Sequence, residues 1–235
     1  ATLQLPDSGS ITFGEIDVLA RPDALRRVLG YLPQEFGLYP NLSAEVTLDH
    51  FATLKGIAER GARKALVAHL LNQVNLYQVR KKHVGTFSGG MKQRLGIAVA
   101  LAGGPQLLIV DEPTAGLDPT ESRRFLNLIA EIGEEIVVIL STHIVEDISQ
   151  SCNDLAVMRG GTVVFRGAPA DLIDRARGHV WTFSGRRPGD DLTVVSTLHL
   201  QHGVQYRVLG HPGGDALPAE PTLEDGYMWL MQVGG

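Results

Sequence analysis

One cysteine, Cys152, stands in the whole chain, so no internal disulfide framework can form. A lone thiol suits a reducing compartment, read here as the cytoplasm, and serves equally as a small half-buried hydrophobe. Long apolar runs are missing as well. The longest are strand-length segments such as Ile136-Val137-Val138-Ile139-Leu140, far short of the roughly 20 residues that span a bilayer. Membrane association is therefore expected to come through a partner. Long basic stretches are also absent, the longest run being Arg80-Lys81-Lys82-His83. Lys and Arg number 21 against 26 Asp and Glu, interleaved along the chain to a net charge of -5, which leaves no basic footprint for nucleic acid. There is no internal repeat, low-complexity tract or secretory leader pattern. The chain opens Ala1-Thr2-Leu3 without Met, so a start cut short of the natural one is expected.

The composition, 44% hydrophobic and 20% charged over 235 residues, allows one large core or a core with a small accessory domain. Short aliphatic or β-branched runs (Ile11 to Phe13, Val28 to Leu32, Leu107 to Val110, Ile136 to Leu140, Leu155 to Met158) alternate with helix-like segments, the pattern of a mostly parallel α/β sheet. From Ser43 to Ala102 the apolar residues recur at helical spacing: Val46, Leu48, Phe51, Leu54; Leu66, Leu70, Leu71, Val74; Leu95, Val99, Leu101. That stretch predicts a helical insertion of about three helices. Asp118-Pro119-Thr120-Glu121 predicts a helix start, with Asp118 as cap, Pro119 in the first turn and Glu121 at capping-box spacing. Gly160-Gly161 marks a hairpin turn, and a short helix from Pro169 to Ala176 closes the main domain. After Gly178 the texture becomes β-rich (His179 to Phe183, Thr193 to Thr197, Val204 to Leu209), and Thr222-Leu223-Glu224-Asp225 opens a last helix.

Two segments carry chemistry. Leu107-Leu108-Ile109-Val110-Asp111-Glu112 is an apolar strand that delivers two carboxylates at its C-terminal tip, the edge where open α/β sheets hold ligands. Taken alone, capping or a turn explains such an Asp-Glu pair at least as well. Phe87-Ser88-Gly89-Gly90-Met91 precedes a helix, with Ser88 placed as its cap and the glycines leaving backbone N–H groups uncovered at its positive end. Taken alone, that is a glycine-softened cap more readily than an anion site.

Together they resemble the ATP-binding-cassette (ABC) family. Phe87-Ser88-Gly89-Gly90-Met91 is similar to the signature motif, usually Leu-Ser-Gly-Gly-Gln, and Asp111-Glu112 is similar to the Walker B carboxylates that follow it. Ala115-Gly116-Leu117-Asp118 resembles the D-loop, Ser141-Thr142-His143 the switch histidine, and Tyr31-Leu32-Pro33-Gln34 the Q-loop. The five motifs stand in family order over roughly Pro6 to Ala176. The resemblance implies a P-loop-NTPase-like, mostly parallel sheet with a helical signature subdomain at about residues 41–102. An ATPase domain would occupy residues 1–177 and a small β-rich accessory domain residues 178–235. It further implies ATP and Mg²⁺ as cofactors. Asp111 and Gln34 would serve the metal, Glu112 would polarise the attacking water, and His143 would contact the γ-phosphate. Ser88, Gly89, Gly90 and Met91 would face the nucleotide of a second protomer, with Asp118 at the seam of a head-to-tail dimer. A separate transmembrane permease is implied as partner, nucleic acid is not, and the subunit would lie on the cytoplasmic face of the membrane. Leu38-Tyr39-Pro40-Asn41-Leu42-Ser43 and the tail resemble bacterial drug and polysaccharide exporters.

One family element is missing: no Gly-x-x-x-x-Gly-Lys-Ser/Thr occurs in the 235 residues. The expectation is a transport ATPase subunit truncated upstream of Ala1, inactive alone for want of its Walker A loop. The alternatives are a soluble ABC-type ATPase and a non-catalytic regulatory fragment.

Overall fold

The computed structural model describes all residues except 149–151, 186–187, 190–191, 202, 214–215 and 234–235. Two compact units divide the chain, residues 1–143 and 144–235.

The first unit opens with a two-stranded antiparallel ribbon, β1 (Thr12–Phe13) and β2 (Ile16–Asp17). The run at Ile11 to Phe13 thus lies outside the parallel sheet. Only a tight turn through Gly14, at φ 54°, separates it from its partner strand, whereas parallel pairing needs a crossover of a dozen residues or more. Helix α1 (Pro22–Val28) leads directly into β3 (Leu29–Leu32). The predicted insertion follows as three helices, α2 (Ala44–Leu54), α3 (Arg60–Gln73) and α4 (Gly89–Leu101). Ser43 caps α2 and Ser88 caps α4, each hydroxyl accepting an N–H three residues on.

Strand β4 (Leu107–Asp111), helix α5 (Pro119–Gly133) and strand β5 (Val137–Ser141) complete the unit. Three strands form one parallel sheet in the order β3-β4-β5. Its β4 is buried nearly throughout, and Leu32, Leu108 and Val110 share one core with Leu48, Leu71, Leu95 and Phe125 from the helices. Asp118 caps α5 as expected, accepting from Thr120 N–H at 2.9 Å and Glu121 N–H at 3.0 Å. The Glu121 carboxylate is directed instead to Arg94 and Arg124.

The second unit begins with α6 (Val145–Ile148) and the antiparallel hairpin β6 (Leu155–Arg159) and β7 (Thr162–Gly167). Gly160 and Gly161 take φ values of 56° and 80°, the doubly left-handed turn that matches strand twist. After α7 (Pro169–Asp174) come β8 (Val180–Ser184), β9 (Thr193–Leu200), β10 (Gly203–Leu209), β11 (Leu217–Pro218) and α8 (Leu223–Val233). The four strands form an antiparallel sheet in the order β11-β8-β10-β9. Leu223, Tyr227, Leu230 and Met231 of α8 pack with Leu155, Val157, Phe165 and Leu172. Residues 144–177 therefore share a core with the end of the chain. At Gly226 the backbones of α7 and α8 come so close that a Cβ would lie 2.3 Å from the Leu172 carbonyl oxygen.

Candidate functional site

The apolar stretch of β4 ends on Asp111, and the next residue turns sharply. Glu112 has φ 41°, the left-handed region that a β-branched or bulky side chain enters only with strain. Its N–H donates to the Ser141 carbonyl at 2.9 Å, so the turn is held against the end of β5.

Two side chains far apart in sequence, Gln34 and His143, meet at Glu112. Gln34 Nε2 donates to Glu112 Oε2 at 3.2 Å, and His143 Nδ1 lies 3.2 Å from the same oxygen. Gln34 reaches the carboxylate from the loop after β3, and His143 from the loop after β5. The strand order β3-β4-β5 is what brings these loops to the two sides of Glu112. The carboxylate side chain is 32% exposed and that of His143 69% exposed, so the cluster opens to solvent. Asp111 sits opposite Ser141 in the β4–β5 register, and the Ser141 hydroxyl donates to Asp111 Oδ1.

The remaining candidates gather at two helix starts. Ser88 and Gly89 are exposed at the N-terminus of α4, Gly90 is buried, and Met91 packs partly into the main core. Asp118 is exposed at the start of α5, its carboxylate engaged in capping. The two starts adjoin: a Cβ on Gly89 would lie 3.3 Å from the Leu117 side chain. A groove of about 600 Å³ runs between the loop after β3 and the start of α4, lined by Gln34, Phe36, Leu38, Gly85, Lys92 and Gln93.

Asp111 and Gln34 offer hard oxygen donors of the kind Mg²⁺ takes from proteins, one or two at a time. Since Gln34 donates through Nε2, its Oε1 is left as the acceptor end; among the described residues no group of three His, Cys, Asp or Glu side chains could hold a metal ion. A cation held by these two donors would have to complete its shell with water and phosphate.

Two further residues, Ser141 and Glu121, support these side chains. Ser141 was legible in principle, because Leu107–Asp111 and Val137–Ser141 are apolar strands of equal length that each end on a polar residue. The capping-box spacing of Glu121 gives no sign of its pairing with Arg94 and Arg124.

A family model described as "ABC transporter" matches residues 1–115. The chain is 34% identical over 234 residues to the doxorubicin resistance ATP-binding protein DrrA of Mycobacterium tuberculosis, covering 99% of this chain and 70% of that protein. It is 33% identical over 179 residues to the ABC transporter ATP-binding protein NatA of Bacillus subtilis, covering 75% and 72%. To the probable multidrug ABC transporter ATP-binding protein YbhF of Escherichia coli it is 33% identical over 226 residues, 96% of this chain but 39% of the relative's length. A solved ATP-binding subunit of an ABC transporter superposes with a TM-score of 0.61 at 27% identity, covering 74% of this chain and 72% of that one.

Proposed function

The chain belongs to the ABC transporter ATP-binding family, and from that premise we propose that Glu112 is the catalytic carboxylate of an ATPase subunit that drives export. The observation that supports this most is the convergence of Gln34 and His143 on one oxygen of Glu112. A partly exposed carboxylate held by the Gln34 amide and the His143 imidazole can accept a hydrogen bond from water and orient it. Water then attacks the γ-phosphorus, the bond to the ADP oxygen breaks, and Glu112 receives the proton directly or through phosphate. His143, with most of its side chain in solvent, can leave Glu112 for the γ-phosphate. Asp111, fixed by Ser141, and the Oε1 end of Gln34 would hold Mg²⁺. When bound, that ion neutralises charge on the β- and γ-phosphates.

Ser88 and Gly89, exposed at the helix start, would face the nucleotide of a second, head-to-tail protomer, with Gly90 and Met91 behind them and Asp118 at the seam. The groove beside Gln34 would receive a separate membrane permease, leaving the subunit peripheral on the cytoplasmic face. Among the described residues no helix is long and apolar enough to cross a membrane, which is consistent with that division of labour. The multidrug and doxorubicin-resistance names of the relatives support export over uptake. Residues 1–177 would form the ATPase domain and 178–235 an accessory domain.

The 235 residues contain no Gly-x-x-x-x-Gly-Lys-Ser/Thr. Such a loop gives the phosphates several charge-assisted contacts worth about 1.5–3 kcal/mol each. Four of them amount to about 6 kcal/mol or more, on the order of 10⁴-fold in affinity. These 235 residues alone should therefore neither bind nor hydrolyse ATP appreciably, whereas a longer version carrying the loop upstream should do both. Binding and phosphate release measured side by side test the reading. Micromolar ATP affinity for the 235 residues would refute the first half, and inactivity of both would refute the second.

A further inference from the structure

The first turns of α4 and α5 interlock through a residue that the reaction scheme above does not use. Glu121 places Oε1 2.7 Å from Arg124 Nη1 and Oε2 3.5 Å from Arg94 Nη2. The Arg124 contact is an exposed pair within one helix and carries little weight, since the Arg124 side chain is 64% exposed. The Arg94 contact is different. Arg94 and Glu121 are 15% and 18% exposed, and Arg94 Nη1 also donates to the Val74 carbonyl at 3.2 Å. Arg94 thereby ties the end of α3 to α4, and Glu121 ties α4 to α5.

Gly90 completes the contact. A Cβ there would stand 2.3 Å from Glu121 Oε2 and 3.0 Å from its Cδ and Cγ. The glycine therefore makes room for Glu121 as well as exposing backbone at a helix start. Asp118 caps the very turn that carries Glu121, accepting the Glu121 N–H itself. A displacement of the start of α5 would be transmitted to Ser88–Met91 through Gly90 and Arg94.

We propose that Glu121 is a positioning residue that, through Gly90 and Arg94, holds the Ser88–Met91 loop in register with Asp118. The proposal rests on the reading of that loop as the surface facing a second protomer's nucleotide. It touches neither the phosphates nor the reacting water.

The test has an arm that needs no catalysis. Amide hydrogen exchange at Met91 and Lys92, which bond to Ser88, is measured in the 235-residue protein and in G90A, E121A, E121Q and G90A/E121A. Loss of one bond to a charged group corresponds to about tenfold faster exchange in E121A, with the last turn of α4 unchanged. E121Q, which keeps the shape against Gly90, should lie between E121A and the parent. G90A should also exchange faster, and the double variant no faster than E121A, because the collision has gone. Unchanged exchange in E121A, or fully additive effects, overturns the proposal. In a longer, ATP-hydrolysing version, E121A should lower kcat about tenfold with ATP affinity of the monomer unchanged, and a kcat within twofold of the parent overturns it. If the exchange coupling holds but no version hydrolyses ATP, the functional reading fails while the positioning contact stands.

Discussion

Asp225 in α8 offers the sharpest quantitative test of the packing in the second unit. It is fully buried, at 0% exposure, and its carboxylate accepts from Arg207 Nη2 at 2.6 Å, Arg207 Nε at 3.0 Å, Thr222 N–H at 2.6 Å and the Thr222 hydroxyl at 2.7 Å. Burial pushes the Asp225 carboxyl up, but the bonds from Arg207 and Thr222 outweigh it and hold the group below the usual carboxylate range. Its contribution to stability is therefore complete above about pH 4, the ordinary carboxylate value, and is lost as pH falls through the depressed folded value. Arg207→Ala removes the counter-charge and leaves the carboxylate buried. Breaking a fully buried pair costs about 3–5 kcal/mol. The two bonds from Thr222 and the 22% exposure of the Arg207 side chain reduce the expectation to roughly 2–3 kcal/mol. For a unit of this size that is a fall in Tm of roughly 8–24 °C. Both tryptophans, Trp181 and Trp229, lie in residues 144–235, so intrinsic fluorescence on heating reports this unit alone. Because the variant's carboxyl titrates higher, the gap between parent and variant should narrow from pH 7 toward pH 4. A Tm change below about 3 °C, or a gap independent of pH, would mean that Arg207 does not stabilise the buried carboxylate.

Other expectations follow from single contacts. Gly226→Ala sets a methyl group against the Leu172 backbone, which cannot swing aside as a side chain can, so a loss of about 1–3 kcal/mol is expected in the same fluorescence melt. Ser88→Ala removes the hydroxyl that accepts the Met91 N–H at 3.2 Å and should cost about 1 kcal/mol, read as a lowered midpoint in urea by circular dichroism. An unmoved midpoint would mean that the cap is made by water instead.

The elements that were legible in the sequence are those whose signal is local. Leu107 to Glu112 announces a buried strand ending on acids because no polar residue interrupts it, and Asp118-Pro119 announces a helix start because both residues are specific to that position. Ile11 to Phe13 offers only two strand residues, too few to show a period, and its antiparallel partner is fixed by the turn at Gly14. The left-handed backbone at Glu112 has no counterpart in residue type, since nothing about a glutamate announces it. Convergence of Gln34 and His143 on Glu112 could be inferred only through resemblance, because it depends on the lateral order of three strands. The Glu121–Arg94 contact spans 27 positions and two helices, and the local capping pattern pointed Glu121 elsewhere. Texture at Gly178 marked where strands resume, yet cores are assembled by contact, and α8 returns to pack on residues upstream of that point.

Whether Glu112 acts on the water that attacks ATP is decided by Glu112→Gln in a version carrying the phosphate loop. The substitution keeps the shape of the side chain and its place beside Gln34 and His143 while removing the proton acceptor. Steady-state turnover should fall by about 10²–10³, the scale of one preorganised catalytic group, with ATP affinity nearly intact. Turnover equal to that of the parent would remove Glu112 from this role.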